Sequence, residues 1–351
     1  MPELPAARLP AMTDVARVAG VSHQTVSRVL NDHPNVRQQT RDRVLKAISE
    51  LGYRPNLAAR ALATGRTSTL GLVTLDTMLL GPVATMYAVE QAARDAGYSL
   101  SITSLHSIDR ASMAQAAERL VELAVAGVVI IAPVAMRDAA LEALPPGLPA
   151  VVAAATTRKT VSGVRVDQRR GAYLATQHLL SLGHSSVVHV SGPKDWIEAR
   201  ERISGWRQAL VEAKIDPPQV ITGNWSARSG YDAGVLLAEA NEVTAVFAAN
   251  DNTALGLLRA YREHGRRVPA DVSIVGFDDV AESAFYTPPL TTVRQDFTAM
   301  GNRCVEVLVR KINHPDQQVQ NVVLEPEMIY RDSTAPPARL AATRHGRRTG
   351  R

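Results

Sequence analysis

Residues 13–31 read TDVARVAGVSHQTVSRVLN, and this stretch decides the fold of the N-terminal part of the chain. Apolar residues recur at helical spacing on both sides of a glycine at position 20, which predicts two short helices joined by a tight turn. The two apolar stripes comprise Val15, Ala16 and Ala19, followed by Val26, Val29 and Leu30. Because Ser22 can cap the second helix through its hydroxyl, the pattern is that of a helix-turn-helix.

The outer face of the second predicted helix is polar and suits contact with DNA. Arginine can donate two hydrogen bonds to guanine, glutamine can pair with adenine, and threonine offers a methyl group to thymine. A solvated polar face would have the same composition, so this interpretation depends on the sequence around it. The residues that we expect to contact DNA are Ser22, His23, Gln24, Thr25, Ser27, Arg28 and Asn31.

The distribution of charge places a nucleic-acid partner at the ends of the chain. Residues 1–66 carry ten Lys/Arg against five Asp/Glu, and residues 331–351 carry six against one, although the formal net charge of the whole chain is only +5. Basic side chains supply most of the sequence-independent affinity for DNA by contacting phosphates. The remaining, central part of the chain is net acidic and would be repelled from the duplex.

A third helix and a short hinge helix are predicted next. The apolar face of the third helix comprises Val44, Leu45, Ile48 and Leu51. Three helices would close the core of a head that covers residues 1–53. Residues 56–63 supply only about two helical turns, which are marginal alone in water, so we expect this hinge helix to become ordered with a paired copy and DNA. The hinge and linker cover residues 54–67, and their expected DNA contacts are Asn56, Arg60 and Leu62.

From residue 70 onward, short apolar runs alternate with segments of helical length. The runs include LGLVTL, GVVIIA, VVHVS, TAVFAAN and VSIVGFDD. This alternation predicts parallel sheets with helices on both faces, and its length predicts two similar lobes. The expected fold is therefore an all-α helix-turn-helix head joined to an α/β body of two doubly wound parallel-sheet lobes.

Polar residues at the ends of these runs form a candidate binding site, because ligands of open parallel sheets sit beyond the carboxyl ends of the strands. Asn250 and Asp278 end two of the runs, Arg202 follows a third, and Trp225 follows the run VITGN. An indole face can stack on a sugar ring, while arginine, asparagine and aspartate can bond its hydroxyls. A single tryptophan at a strand end is, however, more often part of a core.

Other classes of protein fit the sequence less well. The chain has no GxSxG or GxxxxGK motif, and its histidines lack metal-ligand spacing, so we expect no catalytic residues, no metal site and no cofactor. The adjacent acids Asp278 and Asp279 should point in opposite directions in a strand and should not share acid–base work. The single cysteine, Cys304, excludes an intrachain disulfide and is predicted to be a packed thiol.

No apolar run has the length of a membrane span, and the N-terminus lacks a hydrophobic signal core, so we expect a soluble cytoplasmic protein. A transport binding protein could share the body, but it would not carry the basic head and would need an export signal. The C-terminal stretch, residues 334–351, is predicted to be a disordered basic tail. It contains two adjacent prolines and no leucine heptads, so it cannot form a coiled-coil oligomerisation helix.

Between residues 13 and 331, the chain resembles the lactose-repressor/galactose-repressor (LacI/GalR) family of bacterial transcription regulators, and the lactose-repressor branch in particular. The strings that carry the resemblance are GVSHQTVSRVLN, NWSARSGY, ANDNTALG, VSIVGFDD and PPLTTVRQDF. The resemblance implies a body like the periplasmic sugar-binding proteins, covering residues 68–333, with three crossovers between its lobes. Lobe 1 would hold about residues 68–163 and 296–325, and lobe 2 about residues 164–293 and 326–333.

The resemblance also implies roles for individual residues. His23, Gln24 and Arg28 match the positions that read bases, and Leu62 matches a leucine that wedges into the minor groove at the centre of an operator. The residues that match supporting or phosphate contacts are Ser22, Thr25, Ser27 and Asn31. Those that match the sugar pocket are Arg202, Trp225, Asn250, Asp278, Gln295 and Phe297.

The implied protein is a repressor that binds an inverted-repeat operator in double-stranded DNA as a homodimer and is released by a small sugar, a galactoside being one candidate. An effector that strengthens DNA binding, or a phosphoprotein partner, fits the same fold. The chain departs from the family pattern in the pocket wall of the first lobe, where the strand-end acid expected near residues 154–156 is missing. It also has histidine at position 23, where the lactose-repressor branch has tyrosine.

Overall fold

The computed structural model describes residues 10–30, 33–53, 67–75, 79–105, 110–131, 140–154 and 161–338. The chain divides between Ser68 and Thr69 into two compact units, which we call the head and the body. The expected DNA contacts of Asn31, Asn56, Arg60 and Leu62 lie outside the described residues, as does the tail beyond residue 338.

The described residues of the head form three helices: α1 (Met12–Ala19), α2 (His23–Leu30) and α3 (Gln38–Leu51). Gly20 ends α1 in the left-handed conformation, with a φ of 62°, which glycine adopts without strain. The Ser22 hydroxyl accepts a hydrogen bond from the Thr25 backbone N–H at 3.1 Å, so the predicted cap of the second helix is confirmed.

A small apolar core holds the three helices of the head together. Val15, Val26 and Val44, one from each helix, are fully buried at its centre. The expectation that Leu45 belongs to this core is wrong, since Leu45 is 50% exposed and Ala47 is buried in its place. Residues 44, 47, 48 and 51 share one face of a helix with 3.6 residues per turn, whereas residue 45 lies about 100° around the axis.

The body alternates strands and helices, as predicted. In chain order its elements are β1 (Thr69–Leu75), α4 (Leu80–Asp95), β2 (Ser99–Leu105), α5 (Arg110–Glu122), β3 (Gly127–Ile131), β4 (Ala150–Val152), β5 (Ser162–Val166), α6 (Gln168–Ser181), β6 (Val188–Ser191), α7 (Ile197–Glu212), β7 (Ile221–Thr222), α8 (Ala227–Ala238), β8 (Ala245–Ala248), α9 (Asp251–Glu263), β9 (Ser273–Val275), a 3₁₀ turn (Ala281–Phe285), β10 (Thr292–Arg294), α10 (Phe297–Asn313), β11 (Asn321–Leu324) and β12 (Glu327–Ile329).

Lobe 1 is built on a six-stranded parallel sheet with the strand order β11-β5-β4-β3-β1-β2. Helices α4 and α10 share an apolar cluster with one face of the sheet, and α5 shares another cluster with strands β1 and β3. Cys304 on α10 is fully buried in the first cluster, and this burial raises the pKa of its thiol to about 12. The prediction of a packed thiol is confirmed.

Lobe 2 is built on a four-stranded parallel sheet with the order β7-β6-β8-β9. Helices α6 and α7 contribute to one apolar cluster with this sheet, including the fully buried Trp206, and α8 and α9 contribute to another. Strand β8 is buried along its whole length, which explains why its sequence is continuously apolar instead of alternating. Strands β10 and β12 form a separate antiparallel pair.

The chain crosses between the lobes three times, after β5, after β10 and after β11. Strand β5 belongs to the sheet of lobe 1 up to Val166, three residues beyond the expected boundary at 163. Ordered contacts also continue past residue 333. The hydroxyl of Thr334 lies 3.0 Å from the His178 ring, and the N–H of Ala335 donates to Ser273 at 3.0 Å. The expected start of the tail at residue 334 is therefore too early.

None of the helices within the described ranges is long and apolar enough to cross a membrane.

Candidate functional site

A cavity of about 110 Å³ lies in the body, where the carboxyl ends of strands from both lobes meet. A single water needs only about 10–15 Å³, so this cavity accommodates a ligand of several heavy atoms. All six residues expected to bind an effector line it: Arg202, Trp225, Asn250, Asp278, Gln295 and Phe297. The structure thus brings together residues that are up to 95 positions apart in the sequence.

Arg202 on α7 is the best-anchored side chain of the pocket, with only 4% of its surface exposed. Its Nε donates to Gln168 at 2.9 Å, one terminal nitrogen donates to the carbonyl of Ala249, and the other lies 3.5 Å from Asp278. The guanidinium carbon also lies 3.7 Å from the centroid of the Phe277 ring. Because arginine is planar and presents a fixed fork of donors, these contacts hold it in one orientation.

The contacts of Arg202 belong to a closed ring of buried side chains, which we call the polar ring (Arg202, Gln168, Gln295 and Asp278). Gln168 donates to Gln295 at 2.6 Å, and Gln295 donates to Asp278 at 2.6 Å. Burial raises the pKa of the Asp278 carboxyl and lowers that of Arg202, while the attraction between the two opposes both shifts. Gln168 and Gln295 lie at two of the three crossovers, so the ring ties the pocket to the segments that join the lobes.

Trp225 forms the aromatic side of the pocket. It has a positive φ of 70°, an uncommon conformation for a bulky residue, and its ring meets that of Trp196 edge-on at 5.9 Å. The Asn250 amide donates to the Trp225 carbonyl at 3.0 Å, while the Asn250 side-chain oxygen caps α9 by accepting from Thr253. The buried indole N–H of Trp225 has no hydrogen-bond partner among the described residues. Buried donors are usually paired, so this unpaired N–H beside the pocket calls for an explanation.

The adjacent acids Asp278 and Asp279 serve different contacts, as predicted, but not because they alternate in a strand: β9 ends at Val275, and the two residues have positive φ values of 107° and 57°. Asp278 faces Arg202 and Gln295 in the pocket, whereas Asp279 accepts from Arg294 at 2.7 Å and from Arg331 at 2.6 Å. Burial alone would raise the pKa of Asp279, but the two arginines together lower it. The two carboxylates therefore do not form an acid–base pair.

Sequence reasoning missed several residues that line the pocket: Arg165, Gln168, Trp196, Glu198 and Glu201. Gln168 stands just past the carboxyl end of β5, and this position could have identified it. Glu198 precedes Arg202 by four residues on α7, so helical spacing places both on one face. Nothing in the local sequence indicates that this face of α7 would meet the other lobe.

Apart from Arg165 at the end of β5, the described wall of the pocket on lobe 1 is apolar. Its residues are Leu75, Leu79, Leu80, Gly81, Pro82, Thr85, Ile131, Ala153, Ala154, Phe297 and Met300. The one hydroxyl among them, that of Thr85, donates within its own helix to the carbonyl of Gly81 at 2.8 Å. Ala153 and Ala154 stand at the end of β4, where the resemblance led us to expect an acid.

In the head, α2 presents the expected polar face. Ser22, His23, Gln24 and Arg28 are exposed, and Thr25 and Ser27 are half-buried. The opposite face of α2 packs into the core of the head through Val26 and Val29. The exposed groups are therefore carried on a short, fixed helix with its apolar side anchored, which is the arrangement that a base-reading helix requires.

Comparison with known proteins assigns the family. The family model for "Bacterial regulatory proteins, lacI family" matches residues 11–56, and the model for "Periplasmic binding protein-like domain" matches residues 176–334. The lactose operon repressor of Escherichia coli K12 is 34% identical over 326 residues, which cover 92% of this chain and 90% of that repressor. The chain belongs to the lacI family of bacterial regulatory proteins.

Other members of the lacI family are similar over most of their length. The PurR repressor of Haemophilus influenzae Rd is 34% identical over 91% of this chain and 97% of its own. Among solved structures, the lac repressor dimer bound to operator and the anti-inducer ONPF has a TM-score of 0.81 at 32% identity, covering 93% of this chain and all of that one. A complex of the regulator CelR with cellobiose has a TM-score of 0.68 at 32% identity, covering 92% and 99%.

These relationships establish the class of the protein. It is a DNA-binding transcriptional regulator with a helix-turn-helix head and a periplasmic-binding-protein-like body, and the relatives named above are transcriptional repressors and regulators. The expected fold and the expected class are both confirmed.

Proposed function

We propose that the protein is a cytoplasmic repressor that binds an inverted-repeat operator as a homodimer and leaves it when a small sugar occupies the pocket of the body. The observation that carries the sugar assignment is the polar ring beside an aromatic wall with an unpartnered indole N–H. Sugar hydroxyls both donate and accept hydrogen bonds, so they can bond to the fixed donors and acceptors of the polar ring. The C–H face of a sugar can stack on the indole.

For the head, we propose that His23, Gln24 and Arg28 read bases in the major groove. Ser22, Thr25, Ser27 and Asn31 would support this contact or bind phosphates. The support is that the described members of this set are exposed or half-buried on α2. We further propose that residues 54–67 form the hinge that links the head to the body, with Asn56, Arg60 and Leu62 contacting DNA between the two half-sites.

For the body, the proposal draws on the ligands of similar structures. The lac repressor structures hold ONPF or ONPG, and the CelR structure holds cellobiose. In this chain, Arg202, Asp278 and Gln295 would bond hydroxyls on the lobe 2 side, with Trp225 and Asn250 completing the polar half of the site. Phe297 would contact the ligand from the apolar wall.

The proposed control is thermodynamic linkage between the pocket and the heads. A sugar that prefers the arrangement of the lobes in which the two hinges of the dimer are apart lowers the affinity for operator. Operator must then lower the affinity for sugar by the same factor. The polar ring suits this role because two of its members lie at crossovers between the lobes.

Capture of genomic DNA fragments by the purified full-length protein, at a stated salt concentration, tests the proposal. The expected result is enrichment of an inverted repeat beside genes for sugar uptake or glycoside cleavage, with enrichment lost when the corresponding sugar is added. Retention without a symmetric motif contradicts the operator assignment. Enrichment that increases when the sugar is added contradicts release by that sugar.

A further inference from the structure

Within the part of the chain that the structure describes, the ionisable side chains that line the pocket carry more negative than positive charge. Among the described lining residues, two arginines, Arg165 and Arg202, face three carboxylates, those of Glu198, Glu201 and Asp278. The cavity is partly enclosed by apolar side chains, and charges in such a place are screened less than those on an open surface. The balance of charge therefore affects which ligands can enter.

Both arginines already have a carboxylate partner. Arg202 lies 3.5 Å from Asp278, and Arg165 lies 3.7 Å from Glu201. Arginine binds phosphate or carboxylate most strongly when its fork of donors is open for two parallel hydrogen bonds. An anionic ligand would have to displace one of these partners and would then lie beside the displaced carboxylate.

Glu198 and Glu201 place additional negative charge on the same turn of α7. Burial raises the pKa of the Glu201 carboxyl, Arg165 opposes this shift, and the charge of Glu198 adds to it. The environment is thus already unfavourable to the negative charge of Glu201. A phosphate group placed here would add more negative charge at the same wall.

We propose that the effector is an uncharged sugar or glycoside, and that Glu198 and Glu201 are the specificity-determining residues that exclude phosphorylated sugars and sugar acids. This inference rests on the proposed function, because it assigns a ligand class to the same pocket. The two glutamates would let the protein distinguish a free sugar from the phosphate ester formed when the sugar is metabolised.

Calorimetric titration of the full-length protein tests the proposal with matched probes. The neutral probes are galactose, glucose and their methyl glycosides, and the charged probes are galactose 6-phosphate, glucose 6-phosphate and glucuronic acid. We expect at least one neutral probe to bind, and its charged counterpart to bind at least about tenfold more weakly.

The double variant Glu198→Gln/Glu201→Gln removes both charges at almost constant shape. We expect it to reduce the difference between the neutral and the charged probe by about tenfold, because Arg165 loses its partner and the wall loses two negative charges. Glu239→Gln is the matched control, since Glu239 is exposed at the end of α8 and does not line the pocket. Unchanged operator affinity of the variants without sugar shows that they are folded.

The outcomes separate the two proposals. If a sugar phosphate binds the wild-type protein as tightly as the neutral sugar, the inference is wrong while the sugar-effector function stands. If the double variant keeps the full discrimination, the two glutamates are not its cause, and the assignment to them is wrong. If no probe of either kind binds or affects operator affinity, the sugar-effector function itself is contradicted, and the inference falls with it.

Discussion

The ion pair between Arg202 and Asp278 offers the sharpest test of how the pocket is built. Both side chains are almost completely buried, and Asp278 also accepts a hydrogen bond from Gln295. Arg202→Met leaves the Asp278 carboxylate buried without a cation, and removal of one partner from a buried pair costs about 3–5 kcal/mol. This is a large share of the stability of an ordinary domain.

The double variant Arg202→Met/Asp278→Asn should recover part of that loss. It has neither charge of the pair, and the amide oxygen introduced at position 278 can still accept a hydrogen bond from Gln295. We therefore expect the two substitutions to be non-additive. The loss of unfolding free energy in the double variant should be smaller, by about 2 kcal/mol, than the sum of the losses in the two single variants. We also expect operator binding by each of these variants to be unaffected by sugar, because Arg202 and Asp278 line the pocket.

The assay is urea unfolding of the full-length protein at pH 7, followed by tryptophan fluorescence. All three tryptophans of the chain, Trp196, Trp206 and Trp225, lie in lobe 2, so the signal reports the body and not the head. Arg207→Met on the exposed side of α7 is the matched control and should change the stability by less than about 0.5 kcal/mol. Additivity within about 0.5 kcal/mol would refute the interpretation of the ring as a coupled unit.

Buried Asp251 has its pKa raised from 3.8 to about 8, first by burial and then by Asp278, so the folded state keeps a proton that the unfolded state loses between these values. The free energy of unfolding should therefore fall as the pH rises through this window. Urea titrations at several pH values should show a smaller fall for Asp251→Asn. If the variant shows the same dependence of stability on pH as the wild type, Asp251 is not its cause. Arg28→Ala should weaken operator binding by about 1–3 kcal/mol and relax the preference at one base pair, as measured by anisotropy on operator variants. If the variant instead loses the same affinity for every sequence, Arg28 contacts a phosphate and not a base. Trp225→Phe keeps an aromatic ring but removes the unpartnered N–H. Calorimetry should show sugar affinity lowered by about five- to tenfold, while operator affinity without sugar is unchanged. Equal sugar affinity would mean that the indole N–H makes no contact with the sugar.

The sequence predicted those features that depend on local pattern. The two helices around Gly20, the cap by Ser22 and the alternation of strands and helices follow from spacing and turn chemistry, and each is present in the structure. The error at Leu45 came from accepting an apolar residue one position away from the buried stripe of α3. Five residues of the pocket were found because they stand in strings that resemble the family, and Arg202 because its position matches the family's sugar pocket.

The remaining features depend on contacts between segments that are distant in sequence. Gln168 closes the polar ring only because the crossovers after β5 and β10 bring it next to Gln295. Glu198 and Glu201 look like ordinary polar residues on an amphipathic helix, and only the meeting of the two lobes places them in the cavity. The ordered contacts of residues 334 and 335 likewise depend on His178 and Ser273, which stand 156 and 62 residues earlier.

The most direct test of the central claim is the affinity of the full-length protein for its operator, measured by anisotropy with and without a saturating sugar, together with the affinity for that sugar with and without operator. We expect the sugar to lower operator affinity, and operator to lower sugar affinity by the same factor. A sugar that binds the body measurably while operator affinity stays unchanged would contradict the claim that the pocket controls the heads.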